Sequence, residues 1–154
     1  MNKNIIFVTG FFGAPIMQSA QRIAEEKGYA LKSLDDEIEK SDGRTVRRIC
    51  MVMGEHEYRN KEYETLKSLL DGSLDNIVVA CGDGVLHDDM SKDLICKHEL
   101  VIVGYDMTCT ELWEQAKNIE GSCHAFMNFG SEEDKQAAFE KLFERQRVLF
   151  APYF

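Results

Sequence analysis

Ile5-Ile6-Phe7-Val8-Thr9-Gly10-Phe11-Phe12-Gly13-Ala14-Pro15-Ile16-Met17-Gln18 decides how the chain is read. An apolar run breaks at Gly10, turns through Gly13 and enters a helical pattern at Pro15. Strand, glycine turn and helix start form the layout of a phosphate-binding loop, in which backbone N–H groups and the helix dipole cradle an anion. A working loop of this kind reads G-x-x-x-x-G-K-[ST]. Counted from Gly10, the second glycine falls at Pro15, the lysine at Ile16 and the hydroxyl residue at Met17. Every side chain that would touch phosphate or magnesium is apolar, and Pro15 also removes an N–H donor. Gly10, Gly13, Ala14, Pro15, Ile16 and Met17 are therefore read as the remnant of such a loop.

Outward from this stretch, Met17, Ala20, Ile23 and Ala24 mark one face of a helix that stops at Gly28. Tyr29–Leu31 reads as a short strand, and Ser33 caps a helix with Asp35, Asp36 and Glu37 in its first turn. Val46, Ile49, Cys50 and Met53 recur at helical spacing up to Gly54, and a longer helix runs from about Glu55 to Leu70. Asn76–Ala80 is a buried strand broken by Gly82-Asp83-Gly84, and a helix starting at Asp88 or Asp89 runs through Ile95. Leu100–Val103 is a third apolar strand after the first, and Thr108-Cys109-Thr110-Glu111 is a capping box opening a helix through Lys117. Asn118–Gly130 lacks periodicity and reads as a loop or lid. Ser131 caps a last helix whose Ala138, Phe139, Leu142, Phe143 and Phe150 face inward. Strands that are nearly all apolar, alternating with helices, indicate a parallel sheet covered on both faces.

Length and charge narrow the function. The 154 residues form a single domain over 1–154, and a net charge of −9 argues against nucleic-acid or anionic-membrane surfaces. Cys50, Cys81, Cys96, Cys109 and Cys123 are odd in number and lack a C-x-x-C pair, which fits reduced thiols in a cytoplasmic protein. No signal peptide or membrane span is expected. His56, His87, His98 and His124 show no metal-ligand spacing and read as surface or capping residues, so no metal site is expected.

Four pieces then fall in one order: Gly10-Phe11-Phe12-Gly13-Ala14, Leu34-Asp35-Asp36-Glu37-Ile38-Glu39, Gly54 through Tyr58-Arg59-Asn60-Lys61-Glu62, and Ala80-Cys81-Gly82-Asp83-Gly84-Val85-Leu86. Together they resemble shikimate kinase, a small P-loop kinase of the nucleoside-monophosphate-kinase type, from about Asn4 to Lys117 and more loosely to Phe150. The resemblance implies a three-layer α/β fold and phosphorylation of a ring hydroxyl with ATP and magnesium. It assigns the acceptor pocket to Asp35, to Arg59 with Glu62 as its partner, and to the Gly82, Asp83 and Gly84 turn. A further arginine of the C-terminal helix is Arg145 or Arg147, Arg145 being carried as the candidate. Arg59 and Glu62 are three apart on one helix face, so the carboxylate can hold the guanidinium for bidentate grip of a substrate carboxylate; the plain alternative is a solvated ion pair. Asp83 is a turn residue or an acid in the pocket, and Cys81 a small buried residue.

The departures lie on the ATP side. Ser33 replaces an acid near the metal, and Cys123-His124-Ala125-Phe126 stands where the family's lid carries an arginine. No ATP or magnesium is therefore expected as cofactor. The expectation is a degenerate, non-catalytic module that binds a small hydroxylated molecule or a partner. An active kinase and a ligand-free oligomerising scaffold are the competing readings. The family continues past its last long helix into a fifth strand, whereas this chain ends Val148-Leu149-Phe150-Ala151-Pro152-Tyr153-Phe154. Leu100–Val103 is thus expected at a sheet edge, covered by the tail or by a second copy in a homodimer anchored on Phe150, Tyr153 and Phe154.

Overall fold

The computed structural model describes residues 4–72, 75–119 and 123–154. Residues 120–122 of the expected lid lie outside the described residues. The elements run β1 (Ile5–Gly10), α1 (Ile16–Lys27), β2 (Ala30–Ser33), α2 (Leu34–Asp42), α3 (Val46–Met53), α4 (Glu55–Asp71), β3 (Ile77–Ala80), α5 (Asp89–Ile95), β4 (Glu99–Val103), α6 (Cys109–Ala116) and α7 (Glu132–Phe150). Short 3-10 turns at Val85–His87, Ala125–Asn128 and Ala151–Tyr153 fill the connections.

The four strands form one sheet in the order β2-β3-β1-β4, and every pairing is parallel. Because side chains alternate across a strand, β1 feeds two cores. Ile5 and Phe7 enter the larger one with Leu34, Ile49, Tyr58, Leu112, Phe139 and Phe150. Ile6 and Val8 enter the smaller one, which Ala20 and Ala24 of α1 close. The sheet is therefore covered on both faces, as the apolar runs required, but unequally.

The caps read at Ser33, Thr108 and Ser131 hold, Asp88 takes the place left between it and Asp89, and Thr45 is a further one. Ser33, Thr45, Asp88, Thr108 and Ser131 each accept a hydrogen bond from the backbone N–H three residues on, and Thr108 with Glu111 closes a capping box. Three expectations change. Pro15 stands one residue outside α1, with φ −79° and ψ 66°, because its own carbonyl-side geometry closes a tight turn before the helix begins. Met17 is 41 % exposed and Met53 is exposed too, so the inward faces of α1 and α3 are narrower than the apolar spacing implied. β2 begins at Ala30, one residue later than Tyr29, and extends to Ser33.

β4 lies at one edge of the sheet, and α7 runs into the Ala151–Tyr153 turn without a further strand. The tail packs beside that edge. Tyr153 Oη lies 3.4 Å from Cys96 Sγ, ahead of β4, and Phe154 stacks on Tyr105, beyond it, with ring centroids 4.0 Å apart. Phe150 is fully buried and meets the edge of the Phe11 ring at 5.0 Å between centroids, so it anchors the core and is not available as an interface residue. Replacing Phe150→Ala is expected to lower the unfolding free energy by about 3–5 kcal/mol in a urea titration, the cost of an aromatic-sized core cavity.

Candidate ligand-binding site

β1 and β3 are neighbours whose chains leave the sheet in opposite directions, one toward β2 and the other across to β4. The crevice beyond the C-terminal ends of two such strands is where open α/β sheets hold ligands. The turns after the two strands are tied together by Thr9 Oγ1, which donates to the Gly82 carbonyl at 2.8 Å. A cavity of about 200 Å³ opens here, bounded among others by Phe12, Ile16, Asp35, Arg59, Asp83 and Cys123. That is below the roughly 300–1,000 Å³ of drug-sized sites, so it suits a small ligand. A hollow of about 250 Å³ between α2 and α4 contains none of the sequence-read site residues, and its Glu37, Asp42 and Lys61 are engaged in ion pairs.

One wall is built by α2 and α4. Burying the apolar side of α4 carries Tyr58, Arg59 and Glu62 inward together. Arg59 Nη1 donates to Glu62 Oε1 at 2.6 Å, and Nη2 donates to Glu55 Oε1 at 2.9 Å. Glu62 is 0 % exposed, and Arg59 is buried as well, which rules out the solvated ion pair. Burial pushes the Glu62 carboxyl up against the opposing pull of Arg59. Tyr58 Oη donates to Asp35 Oδ1 at 2.5 Å. Burial also raises Asp35, the Tyr58 bond opposes it, and the Asp83 charge adds to the rise. The guanidinium lies against the turn after β3: a Cβ on Gly84 would sit 2.2 Å from Arg59 Nη2 and 2.8 Å from Cζ. Only glycine fits there, which explains the last residue of the Gly82-Asp83-Gly84 turn.

The other wall is the loop after β1, and its backbone donors face inward to protein acceptors. Phe11 N–H donates to the Val103 carbonyl at 3.1 Å, and Ala14 N–H to the Phe11 carbonyl at 3.0 Å. Ile16 N–H donates to the Ala14 carbonyl at 2.8 Å, closing an inverse γ-turn on Pro15. Phe12 N–H donates to Gln146 Oε1 at 3.0 Å. Gly13, at φ +98°, brings the loop against α6, where a Cβ would meet the Leu112 carbonyl at 2.3 Å.

Asp83 points at α7 and the segment before Ala125. His124 Nε2 lies 2.7 Å from Asp83 Oδ2, and Gln146 Nε2 donates to the same oxygen at 2.8 Å. Burial would raise the Asp83 carboxyl, but the His124 charge and these two hydrogen bonds hold it below the ordinary range. An ionised carboxylate only accepts, so His124 Nε2 carries the proton. Asp83 thus lines the cavity with its charge engaged, beyond a plain turn residue. The structure does not bring Arg145 to the cavity: Arg145 and Arg147 are exposed, and Gln146 between them is 1 % exposed and reaches the site. Cys81 is buried, its Sγ 3.8 Å from the Val79 carbonyl, and its thiol is pushed up by burial. All five cysteines are free.

The family model for shikimate kinase matches residues 18–149. The chain belongs to the shikimate kinase family. The match begins directly after Met17, past the Gly10–Met17 stretch. A bifunctional shikimate kinase/3-dehydroquinate synthase of Thermotoga maritima is 38 % identical over 98 residues, 64 % of this chain and 20 % of that protein. The shikimate kinase of Chlorobaculum tepidum is 34 % identical over 101 residues, 66 % of this chain and 52 % of that protein. This shikimate-kinase-like chain therefore aligns with about half or less of the length of these two relatives. In solved structures the fold recurs in shikimate kinase from Acinetobacter baumannii in complex with shikimate, at TM-score 0.81 and 19 % identity over 97 % of this chain and 79 % of that one. It recurs in shikimate kinase from Bacteroides thetaiotaomicron at TM-score 0.79 and 18 % identity, over 97 % and 82 %.

Within this family member, reading the sequence missed Glu55, His124 and Gln146. Glu55 and Gln146 had signals: Glu55 is four residues before Arg59, and Gln146 shares the helix phase of Phe139, Leu142 and Phe150. His124 had none, since its partner is 41 residues away.

Asp83 sets a pH signature. A carboxyl whose folded pKa lies below its unfolded value of 3.8 contributes stability that is present above that value and lost as pH falls through the folded one. Asp83→Asn is expected to lower stability by about 1.5–3 kcal/mol at pH 7, the range for hydrogen bonds to a charged group. Its gap from the native chain then narrows below pH ~3.8. Urea titrations of both proteins at neutral and acid pH check it; a gap that stays constant with pH contradicts the assignment.

Proposed function

We propose that this chain is a shikimate-kinase-family protein with an eroded ATP and magnesium site and a partly kept acceptor pocket. It acts in the cytosol as a non-catalytic module for a small hydroxylated molecule or a protein partner. The observation that carries the reading is the state of the loop after β1. Its N–H groups at Phe11, Phe12, Ala14 and Ile16 are engaged by protein acceptors, and Pro15 has none to offer. Ile16 and Met17 supply neither an ammonium nor a metal-binding hydroxyl. ATP and magnesium do not fit these residues. Losing a single preorganised donor to a developing charge costs about 3 kcal/mol, and several are absent together.

The acceptor wall supports the other half of the proposal. Tyr58 is hydrogen-bonded to Asp35 and Arg59 to Glu62, and Asp35, Tyr58, Arg59 and Gly84 line the cavity. The shikimate held by the Acinetobacter baumannii relative gives the class of molecule, a hydroxylated carbocycle. Family membership itself favours the competing reading, an active kinase on such a substrate.

Calorimetry decides between them. No heat of binding is expected with Mg-ATP at millimolar concentration, and a micromolar dissociation constant would make the active kinase the better reading. The proposal also takes the chain as a homodimer in which a second copy covers the β4 edge, with exposed Phe154 at the contact. Sedimentation velocity at micromolar concentration is expected to give twice the 17.6 kDa chain mass, and a monomer would remove the dimer from the proposal.

A further inference from the structure

Among the described residues lining the cavity, Arg59 is the one arginine or lysine, and both of its terminal nitrogens are engaged. Glu62 takes Nη1 and Glu55 takes Nη2. A carboxylate gripped in bidentate fashion needs two guanidinium nitrogens. Glu62 is wholly buried, whereas the Glu55 side chain is 62 % exposed in the first turn of α4, so Glu55 is the partner an incoming anion would have to displace. The floor beside Gly82 is equally short of donors. Tyr58 Oη, Glu62 Oε2 and Asp35 Oδ2 lie 3.3, 3.7 and 3.9 Å from the point that a Gly82 Cβ would take. Tyr58 also lies beside Glu62, but its single proton goes to Asp35, so Glu62 Oε2 is buried without a hydrogen-bond partner. Glu62 does not itself line the cavity, whereas Asp35 does. Asp35 and Glu62 are both pushed up, by burial first and by nearby negative charge after it. Asp83 adds a further acid, with His124 as its partner.

We propose, building on the reading of this cavity as a small-molecule site, that it selects an amine-bearing polyol over a carboxylate and that Glu55 sets the choice by holding Arg59. An ammonium group brings positive charge and donors to the Asp35 carboxyl that lines the cavity. A carboxylate must first part Arg59 from Glu55, and then it meets the acids on the floor.

The test is calorimetry on the full chain with three matched probes: shikimate, its methyl ester, and the analogue carrying aminomethyl in place of the carboxylate. The native chain is expected to bind the amine about tenfold or more tightly than shikimate, the scale of one charge-assisted hydrogen bond. Glu55→Gln removes the competing charge at an exposed position. It is expected to tighten shikimate about tenfold and leave the methyl ester unchanged. Shikimate binding most tightly to the native chain would overturn the proposal, as would an amine-to-shikimate ratio that Glu55→Gln does not move. Equal binding of all three probes would remove the charge selection and leave the small-molecule reading standing. Binding of none would remove both.

Discussion

The buried pair between Arg59 and Glu62 is the constraint from which the site is built. An arginine taken out of water costs several kcal/mol unless its charge is met at close range, and Glu62 Oε1 meets it at 2.6 Å. Removing either partner leaves the other uncompensated, at a cost of about 3–5 kcal/mol. The consequences spread outward from that pair. The guanidinium needs a flat surface to lie on, which fixes Gly84 in the turn after β3. Its helix must enter the core deeply, which carries the preceding Tyr58 ring inside, and the buried hydroxyl then needs the acceptor that Asp35 supplies. Residues from α2, α4 and the β3 turn are thus held in one geometry by the requirements of a single cation.

A second network keeps the loop after β1 in place. Buried backbone donors have to find acceptors, and in a nucleotide-binding loop the phosphates serve. Here the chain supplies its own. Gln146 reaches from α7 to take the Phe12 N–H with its oxygen and gives its amide hydrogens to Asp83, which His124 also holds. The His124 ring lies 4.5 Å from that of Phe12, so the same three side chains also wall off the loop. Asp83 is therefore a hub that links the β3 turn to α7 and to the segment before Ala125.

Much of this fold was legible because its signals are local. Ile5–Val8, Ile77–Ala80 and Leu100–Val103 are apolar runs that only a doubly covered parallel sheet accommodates, and the caps at Ser33, Thr108 and Ser131 stand three residues from the N–H groups they serve. Arg59 with Glu62 was legible for the same reason. The contacts that tie Asp83, His124, Gln146 and Phe12 together join residues 41, 63 and 134 positions apart, and no periodicity encodes them. Arg145 shows where charge misled. Attention to cations along α7 passed over Gln146, although the phase set by Leu142 and Phe150 turns Gln146 inward and its two arginine neighbours out. Met17 failed in the other direction, since an apolar residue in the first turn of a helix need not face the core.

The two halves of the site differ in what the fold demands of them. At the start of α1, Met17 is exposed, whereas Ile16 is half-buried against the smaller core and lines the cavity. Arg59, Glu62 and Gly84 could not drift one at a time, because each is packed against another. Stability alone therefore holds Arg59, Glu62 and Gly84 in place, and the persistence of Arg59 with Glu62 is not by itself a sign of ligand. The contacts that stability does not require carry more weight. The Glu55 carboxylate is exposed, and an arginine already paired with Glu62 has little need of it for folding. Glu62 Oε2 is buried without a hydrogen-bond partner, and burial pushes the Glu62 carboxyl up against the pull of Arg59 and Tyr58. An exposed acid engaging the cavity's arginine and a buried oxygen lacking a donor both concern charge at one place, and folding explains neither.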